Sequence, residues 1–250
     1  MSKKIILILL LSITSLFAGT INLAVSANVS YAIDSLIKEF KKSHPDIDVR
    51  VTIGSSGNLT AQINSGAPYD IFMSANMQYP NSLYLKKIAI TKPLIYAKGS
   101  IALVSRKKGF HLTGLDILKD KRVKRIAIAN PKTAPYGKAT IEILKNAKML
   151  KTLKKKFIYA QSASQTLSYT MRVTDFGFVA KSSLFSPKLH YLKKGTNWID
   201  ISSSLYTPIK QGVVLLSHSK TTPKDALHFY NFILSSTAKK IFKEYGYIIK

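Results

Sequence analysis

The 250-residue chain has no cysteine, which excludes disulfides and thiol chemistry and leaves the compartment open. Acidic residues are scarce too, with 12 Asp and Glu against 38 Lys and Arg. The five histidines, His44, His111, His190, His218 and His228, stand apart in sequence, and no two have metal-ligand spacing. No Gly-x-Ser-x-Gly elbow surrounds Ser55-Ser56, so a serine hydrolase lacks its turn. Asn130–Thr140 is no phosphate loop, because Lys132 stands where its first glycine belongs and Ala139 replaces the magnesium-binding hydroxyl. With no nucleophile–base pair in view, the chain is not expected to be an enzyme, and no cofactor is implied.

The first residues read as a secretory leader. Lys3-Lys4 precedes the apolar run Ile5–Leu11, and Leu16-Phe17-Ala18 closes the stretch with cleavage expected after Ala18. No cysteine follows to carry a lipid, and no later apolar run approaches the ~20 residues needed to cross a bilayer. The mature protein, residues 19 onward, is therefore expected to be exported and soluble. It carries 36 basic against 12 acidic residues, a net charge of +24. Such a balance suits nucleic acid, an anionic membrane or a small anionic ligand. No alternation of bases with aromatics, zinc-finger spacing or RNA-binding signature is present, so nucleic acid is not expected as a partner. Clusters such as Lys154-Lys155-Lys156 and Lys121–Arg125 read as solvated faces.

From residue 20 the chain repeats one arrangement four times: an apolar strand, a turn of small polar residues, a helix. Ile21–Ser26 leads through Ala27-Asn28 to a helix reaching Lys42, with Ile33, Leu36, Ile37 and Phe40 on one face. Val49–Ile53 leads through a Gly/Ser turn to a helix ending at Gly66. Arg125–Ala129 leads through Pro131 and Pro135-Tyr136-Gly137 to a helix expected to run to about Leu150. Phe157–Ala160 leads through Gln161–Ser164 to a helix around Gln165–Met171. Strands alternating with helices imply an α/β fold with parallel sheets covered on both faces, where ligands sit beyond the carboxyl ends of the strands. Ile101–Ser105 and Val213–Leu216 are further strands, and the C-terminal part reads as a helix from Pro223, a break near Ser235-Ser236 and a helix ending at Gly246.

The densest information lies in Gly54–Met77, GSSGNLTAQINSGAPYDIFMSANM. A turn of glycine and serine between a strand and a helix offers hydroxyls and unpaired N–H groups, a ready anion site. The stretch resembles, nearly residue for residue, the signature of periplasmic molybdate-binding proteins of ABC importers. It shares the Ser-rich turn Ser55-Ser56-Gly57, then Gly66-Ala67-Pro68, Asp70 and an apolar strand closed by Ser74-Ala75. The resemblance extends over nearly all of the mature chain and is weakest between about 185 and 210. It implies a two-lobe periplasmic-binding-protein-like fold of type II, each lobe a mixed sheet flanked by helices, with the ligand in the cleft. The lobes would be residues 19–98 plus 207–250, and 99–206.

The resemblance also implies the site. Asn28 matches a first-turn donor, Ser56 a hydroxyl and N–H donor, and Tyr136 and Ala163 two backbone N–H donors. Ala27, Ser55 and Gly57 are neighbours able to add N–H groups. Some relatives carry a tyrosine after the strand matching Phe176–Val179; here Ala180 and Lys181 follow, and Lys181 is not expected to take over that contact. Read alone, Asn28 and Ser56 would each serve as helix N-caps, Tyr136 would pack its ring and Asp70 would accept from backbone. The expected ligand is molybdate or tungstate, with sulfate, phosphate or another small anion as the alternative and, from a different class, a basic exported protein that binds nucleic acid or an anionic surface as the lesser one. The expected partners are that oxyanion and a membrane permease, and the protein is expected to be a periplasmic monomer.

Overall fold

The computed structural model describes residues 19–107, 109–217 and 224–249. The leader, His218 and the helix start at Pro223 lie outside them. Ten strands form two sheets. β1 (Thr20–Ser26), β2 (Asp48–Gly54), β3 (Ile71–Ser74), β4 (Leu94–Gly99) and β10 (Ile209–Leu215) make the first, in the order β2-β1-β3-β10-β4. β5 (Ile101–Val104), β6 (Ile126–Ala129), β7 (Phe157–Ala160), β8 (Phe176–Ala180) and β9 (Trp198–Asp200) make the second, in the order β7-β6-β8-β5-β9. The two orders correspond: three parallel strands, then one antiparallel strand, then an edge. The chain passes between sheets at Ser100 and again between β9 and β10.

Each sheet is covered on both faces, which explains why β3, β5, β6 and β8 are unbroken runs of buried residues. Alternation still decides which face each side chain serves. On β1, Ile21, Leu23 and Val25 join one core and Ala24 the other; on β3 and β10, Met73 and Val213 oppose Phe72 and Val214 in the same way. The first core is closed by α1 (Ile33–Lys41), and by α7 (Lys224–Leu234) and α8 (Ser236–Glu244) from the end of the chain, through Leu36, Phe40, Phe229 and Phe242. The opposite face is closed by α2 (Ser56–Asn64) and α3 (Gln78–Leu85) through Leu59, Ile63 and Leu83. α4 (Pro135–Asn146) and α5 (Leu150–Leu153) cover one face of the second sheet with Ile143, Leu144 and Leu153, and α6 (Ala163–Arg172) lies on the other through Leu167.

Three local details differ from the sequence reading. The helix after Asn28 starts only at Ile33: a run of turns from Ala27 to Ala32 buries Val29 first, and Ala32 is its N-cap. The third helix stops at Asn146 instead of about Leu150. There Met149 N–H reaches back to Leu144 O (2.8 Å) and Lys148 N–H to Lys145 O (3.0 Å), with Lys148 left-handed at φ 55°. His44 and His228, far apart in sequence, bring their rings to 4.9 Å, with His44 stacked on Phe40. Among the described residues no three His, Asp or Glu side chains gather as a metal site, and no helix is long and apolar enough to cross a membrane.

Candidate functional site

The parallel strands β1, β2, β6 and β7 all end toward one place, where the turns that follow them meet. Asn28 follows β1; Ser55 and Ser56 follow β2 and open α2; Ala134, Pro135 and Tyr136 open α4 after β6; Ala163 opens α6 after β7. These residues, with Ser26, Ala27, Gly54 and Ala75, enclose a cavity of about 10 Å³, roughly the room for one water-sized sphere. The four residues singled out in the sequence, Asn28, Ser56, Tyr136 and Ala163, thus line one cavity, two from each sheet's side. Ala180 and Lys181 are not among its walls. The Lys181 ammonium is turned to Asp200 (2.6 Å) and lies over the Trp198 ring.

Backbone donors without partners border this space. The N–H groups of Asn28, Ser56, Tyr136 and Ala163 have no acceptor among the described residues. Three of them sit in the first turn of a helix, whose leading N–H groups have no intrahelical partner and carry partial positive charge. The caps are in place without them. Ser55, not Ser56, is the N-cap of α2 and accepts from Asn58 N–H, Ser162 caps α6 by accepting from Gln165 N–H, and Pro135 opens α4 at a position that needs no donor.

Ser56 Oγ accepts from Ala75 N–H (2.9 Å), and Ser26 Oγ accepts from the same group at 3.0 Å. The two hydroxyls are also hydrogen-bonded to each other. Two hydroxyl protons with one engaged between them leave one hydrogen to donate into the cavity. Ser26 also lines the cavity and was missed by the sequence reading; its only signal was its position as the last residue of the strand.

Asn28 is held from behind. Its Nδ2 donates to Gln211 Oε1 (3.0 Å) and to Tyr247 Oη (2.9 Å). Its carbonyl accepts from Tyr247 Oη–H (2.8 Å) and from Ser182 Oγ–H (2.9 Å). The side-chain amide nitrogen is therefore engaged in the interior and caps no helix, while the backbone N–H of Asn28 is left without an acceptor among the described residues. Burial, with the neighbouring Tyr247, Tyr96 and Tyr206, pushes the Tyr136 hydroxyl far above the usual tyrosine range. Burial does the same to Tyr247 and Tyr96, so all three stay neutral. The Tyr136 Oη is buried beside the Gln211 amide but outside hydrogen-bond geometry. Asp70 accepts from Asn22 N–H (2.7 Å) on the adjoining strand.

The lobes touch around the cavity. Gly57 N–H donates to Thr133 O at 2.8 Å, and a Cβ at Gly57 would lie 2.8 Å from Tyr79 Oη and 2.9 Å from the Thr133 backbone. A Cβ at Gly246 would run into the Phe185 ring. No Asp, Glu, Lys or Arg lines the cavity. The walls combine neutral backbone N–H groups and serine hydroxyls with no charged side chain, an arrangement that suits a small anion.

The chain matches the bacterial extracellular solute-binding protein family over residues 21–248. The molybdate-binding protein ModA of Azotobacter vinelandii is 30% identical over 232 residues, covering 92% of this chain and 90% of that protein. ModA of Rhodobacter capsulatus is 32% identical over 238 residues, covering 92% and 89%. The structure of the Azotobacter vinelandii periplasmic molybdate-binding protein superposes with a TM-score of 0.84 at 29% identity, covering 92% of this chain and 99% of that one. The sulfate-binding protein SubI of Mycobacterium tuberculosis H37Rv shares the fold, with a TM-score of 0.74 at 13% identity.

Proposed function

This chain belongs to the bacterial extracellular solute-binding protein family, and on that premise we propose that it captures molybdate, and tungstate with it, for a membrane permease of an ABC importer. The observation that carries this reading is that four residues with acceptor-less N–H groups, from both lobes, and a pair of serine hydroxyls line one small cavity. That the Azotobacter and Rhodobacter relatives are molybdate-binding proteins supports molybdate over other anions. Asn28, Ser56, Tyr136 and Ala163 would hold the oxyanion. Each hydrogen bond to a charged oxygen is worth about 1.5–3 kcal/mol once water is excluded.

The chemistry of the walls supports selection by protonation state. Molybdate, tungstate and sulfate are bare dianions at neutral pH, whereas phosphate keeps a proton that needs an acceptor. With no carboxylate in the wall, a protonated phosphate finds only neutral acceptors, weaker than a charged one. Sulfate is rejected only by size, since its charge and shape are the same. The protein would act in the periplasm as a monomer without enzymatic activity, with lobes of residues 19–98 plus 207–250 and 99–206 closing over the ion.

Thermal unfolding of the protein from Gly19 onward, at matched ionic strength with molybdate, tungstate, sulfate or phosphate, tests the reading. A ligand at 100 times its dissociation constant adds about 2.7 kcal/mol of stability. A large rise with molybdate and tungstate alone supports it. Equal small rises with every anion mean that charge is merely screened, and the proposal falls.

A further inference from the structure

We propose that the end of the second lobe remote from the cavity is a docking surface for an anionic phospholipid membrane. The argument starts from the register. β6, β7 and β8 are parallel, with Ile126 beside both Phe157 and Phe176. The segments leading into them therefore lie together at one edge of the sheet, opposite the edge that carries the cavity. Residues 119–125 and 151–156 hold nine basic residues and one acidic one.

That single acid, Asp120, is paired with Arg122 at 2.6 Å. Two further carboxylates lie at this edge: Asp116, exposed and paired with Lys119 at 2.5 Å, and Asp175, buried and held by Lys107 and by the N–H groups of Lys124 and Arg125. Lys121, Lys124, Arg125, Lys154 and Lys155 are exposed and have no ion-pair partner among the described residues. The bases crowd one another as well. Burial and the charges of Lys124 and Lys155 hold the Lys156 ammonium below the usual lysine range.

The first lobe is an internal contrast. The corresponding segments leading into β2 and β3, residues 42–47 and 65–70, hold one basic and two acidic residues. Across the whole chain, residues 99–206 carry 21 bases against 5 acids, while 19–98 plus 207–250 carry 15 against 7. The excess is thus concentrated in one lobe and at one edge of it. A nucleic-acid strand would need a groove with aromatic platforms. The two basic segments contain no aromatic residue, and they form the end of a lobe instead of a channel. A broad anionic face is the partner they fit, and an exported protein meets one in the lipid headgroups outside the cytoplasm.

The proposal rests on export but not on the anion site, so either can fail alone. Co-sedimentation with vesicles of phosphatidylglycerol and phosphatidylcholine, compared with phosphatidylcholine alone at low salt, tests it. A base near an anionic surface contributes roughly a fivefold factor. The variant Lys121→Gln, Lys124→Gln, Lys154→Gln, Lys155→Gln should bind mixed vesicles at least about 30-fold more weakly. The control Lys87→Gln, Lys92→Gln, Lys240→Gln, Lys243→Gln removes equal charge from the first lobe and should lose no more than about threefold. Unchanged unfolding temperatures would show that both variants are folded. Equal losses in both, or no binding to mixed vesicles, overturns the proposal. So does tighter binding of duplex DNA than of vesicles through the same four lysines.

Discussion

Asn28 and Tyr247, 219 residues apart, hold each other by two hydrogen bonds: Asn28 Nδ2 donates to Tyr247 Oη at 2.9 Å, and that hydroxyl donates to the Asn28 carbonyl at 2.8 Å. The first turn of the cavity is thus fixed in place by the last turn of the chain. Tyr247→Phe removes both bonds and leaves Asn28 with Gln211 and Ser182. The expected result is a loss of about 1–3 kcal/mol of stability and about tenfold weaker molybdate binding, measured by denaturant unfolding and calorimetric titration. Unchanged affinity would free Asn28 from any dependence on the C-terminal segment.

Ser56→Ala should weaken molybdate binding about ten- to a hundredfold, the size of one charge-assisted hydrogen bond. Stability should barely change, because Ser26 Oγ still accepts from Ala75 N–H. Ser26→Ala should behave similarly. The double variant leaves Ala75 N–H without a partner and should destabilise by more than the sum of the two. Additive unfolding energies across this cycle would count against the shared role.

Tyr136→Phe separates the two parts of that residue. Its hydroxyl is buried without a partner, so removing it should leave stability equal or higher. The N–H that faces the cavity is untouched, and molybdate affinity should stay within about threefold. A large loss in titration would mean that the hydroxyl itself reaches the ligand.

Gly57→Val places a side chain where the lobes meet, with its Cβ 2.8 Å from Tyr79 Oη and 2.9 Å from the Thr133 backbone. Each lobe keeps its own core, so the unfolding temperature should fall little. The lobes should be held apart, seen as a larger radius of gyration in solution scattering, and molybdate binding should be lost. A radius unchanged by both substitution and molybdate would oppose closure at this contact.

Acid should act through Asp175. Burial alone would raise its carboxyl, but Lys107 and the N–H groups of Arg125 and Lys124 hold it below the usual range. A folded-state value below the unfolded one gives stability that is complete above about pH 4 and is lost as pH falls through the folded value. Asp175→Asn should therefore be less stable near neutrality and show a flatter pH dependence below about pH 4. Parallel stability curves for the two proteins would refute this.

Much of this architecture was legible in the sequence because it is local. Alternation and small polar turns place Asn28, Ser56, Tyr136 and Ala163 each after a strand, and parallel strands must bring such turns to one edge. What stayed hidden depends on distant register. Gln211 reaches Asn28 because β10 inserts between β3 and β4, Tyr247 because the segment after α8 returns to that sheet, where Ile248 bridges Lys98, and Ser182 from the other lobe. A buried glutamine in the run Ile209–Leu215 was the available hint, since an amide inside a central strand needs a partner. The N-cap reading of Asn28 failed because burial of Val29 draws the chain through extra turns before α1 can start. The pairing of Lys181 with Asp200 could not be read from two charges 19 residues apart.

The insertion of β10 between β3 and β4 also sets an order in time. A chain that leaves the cell's interior from its N-terminus releases β1 to β4 first, yet these cannot form a continuous sheet until β10 arrives. The second lobe, contiguous in sequence, can fold while the first waits with two strand edges unpaired, the state most prone to wrong partners. Asn28 gains its last partner only when Tyr247 emerges. On the proposed function, ion capture would thereby be barred to unfinished chains, and a molecule clipped within its final few residues should fold yet bind molybdate poorly.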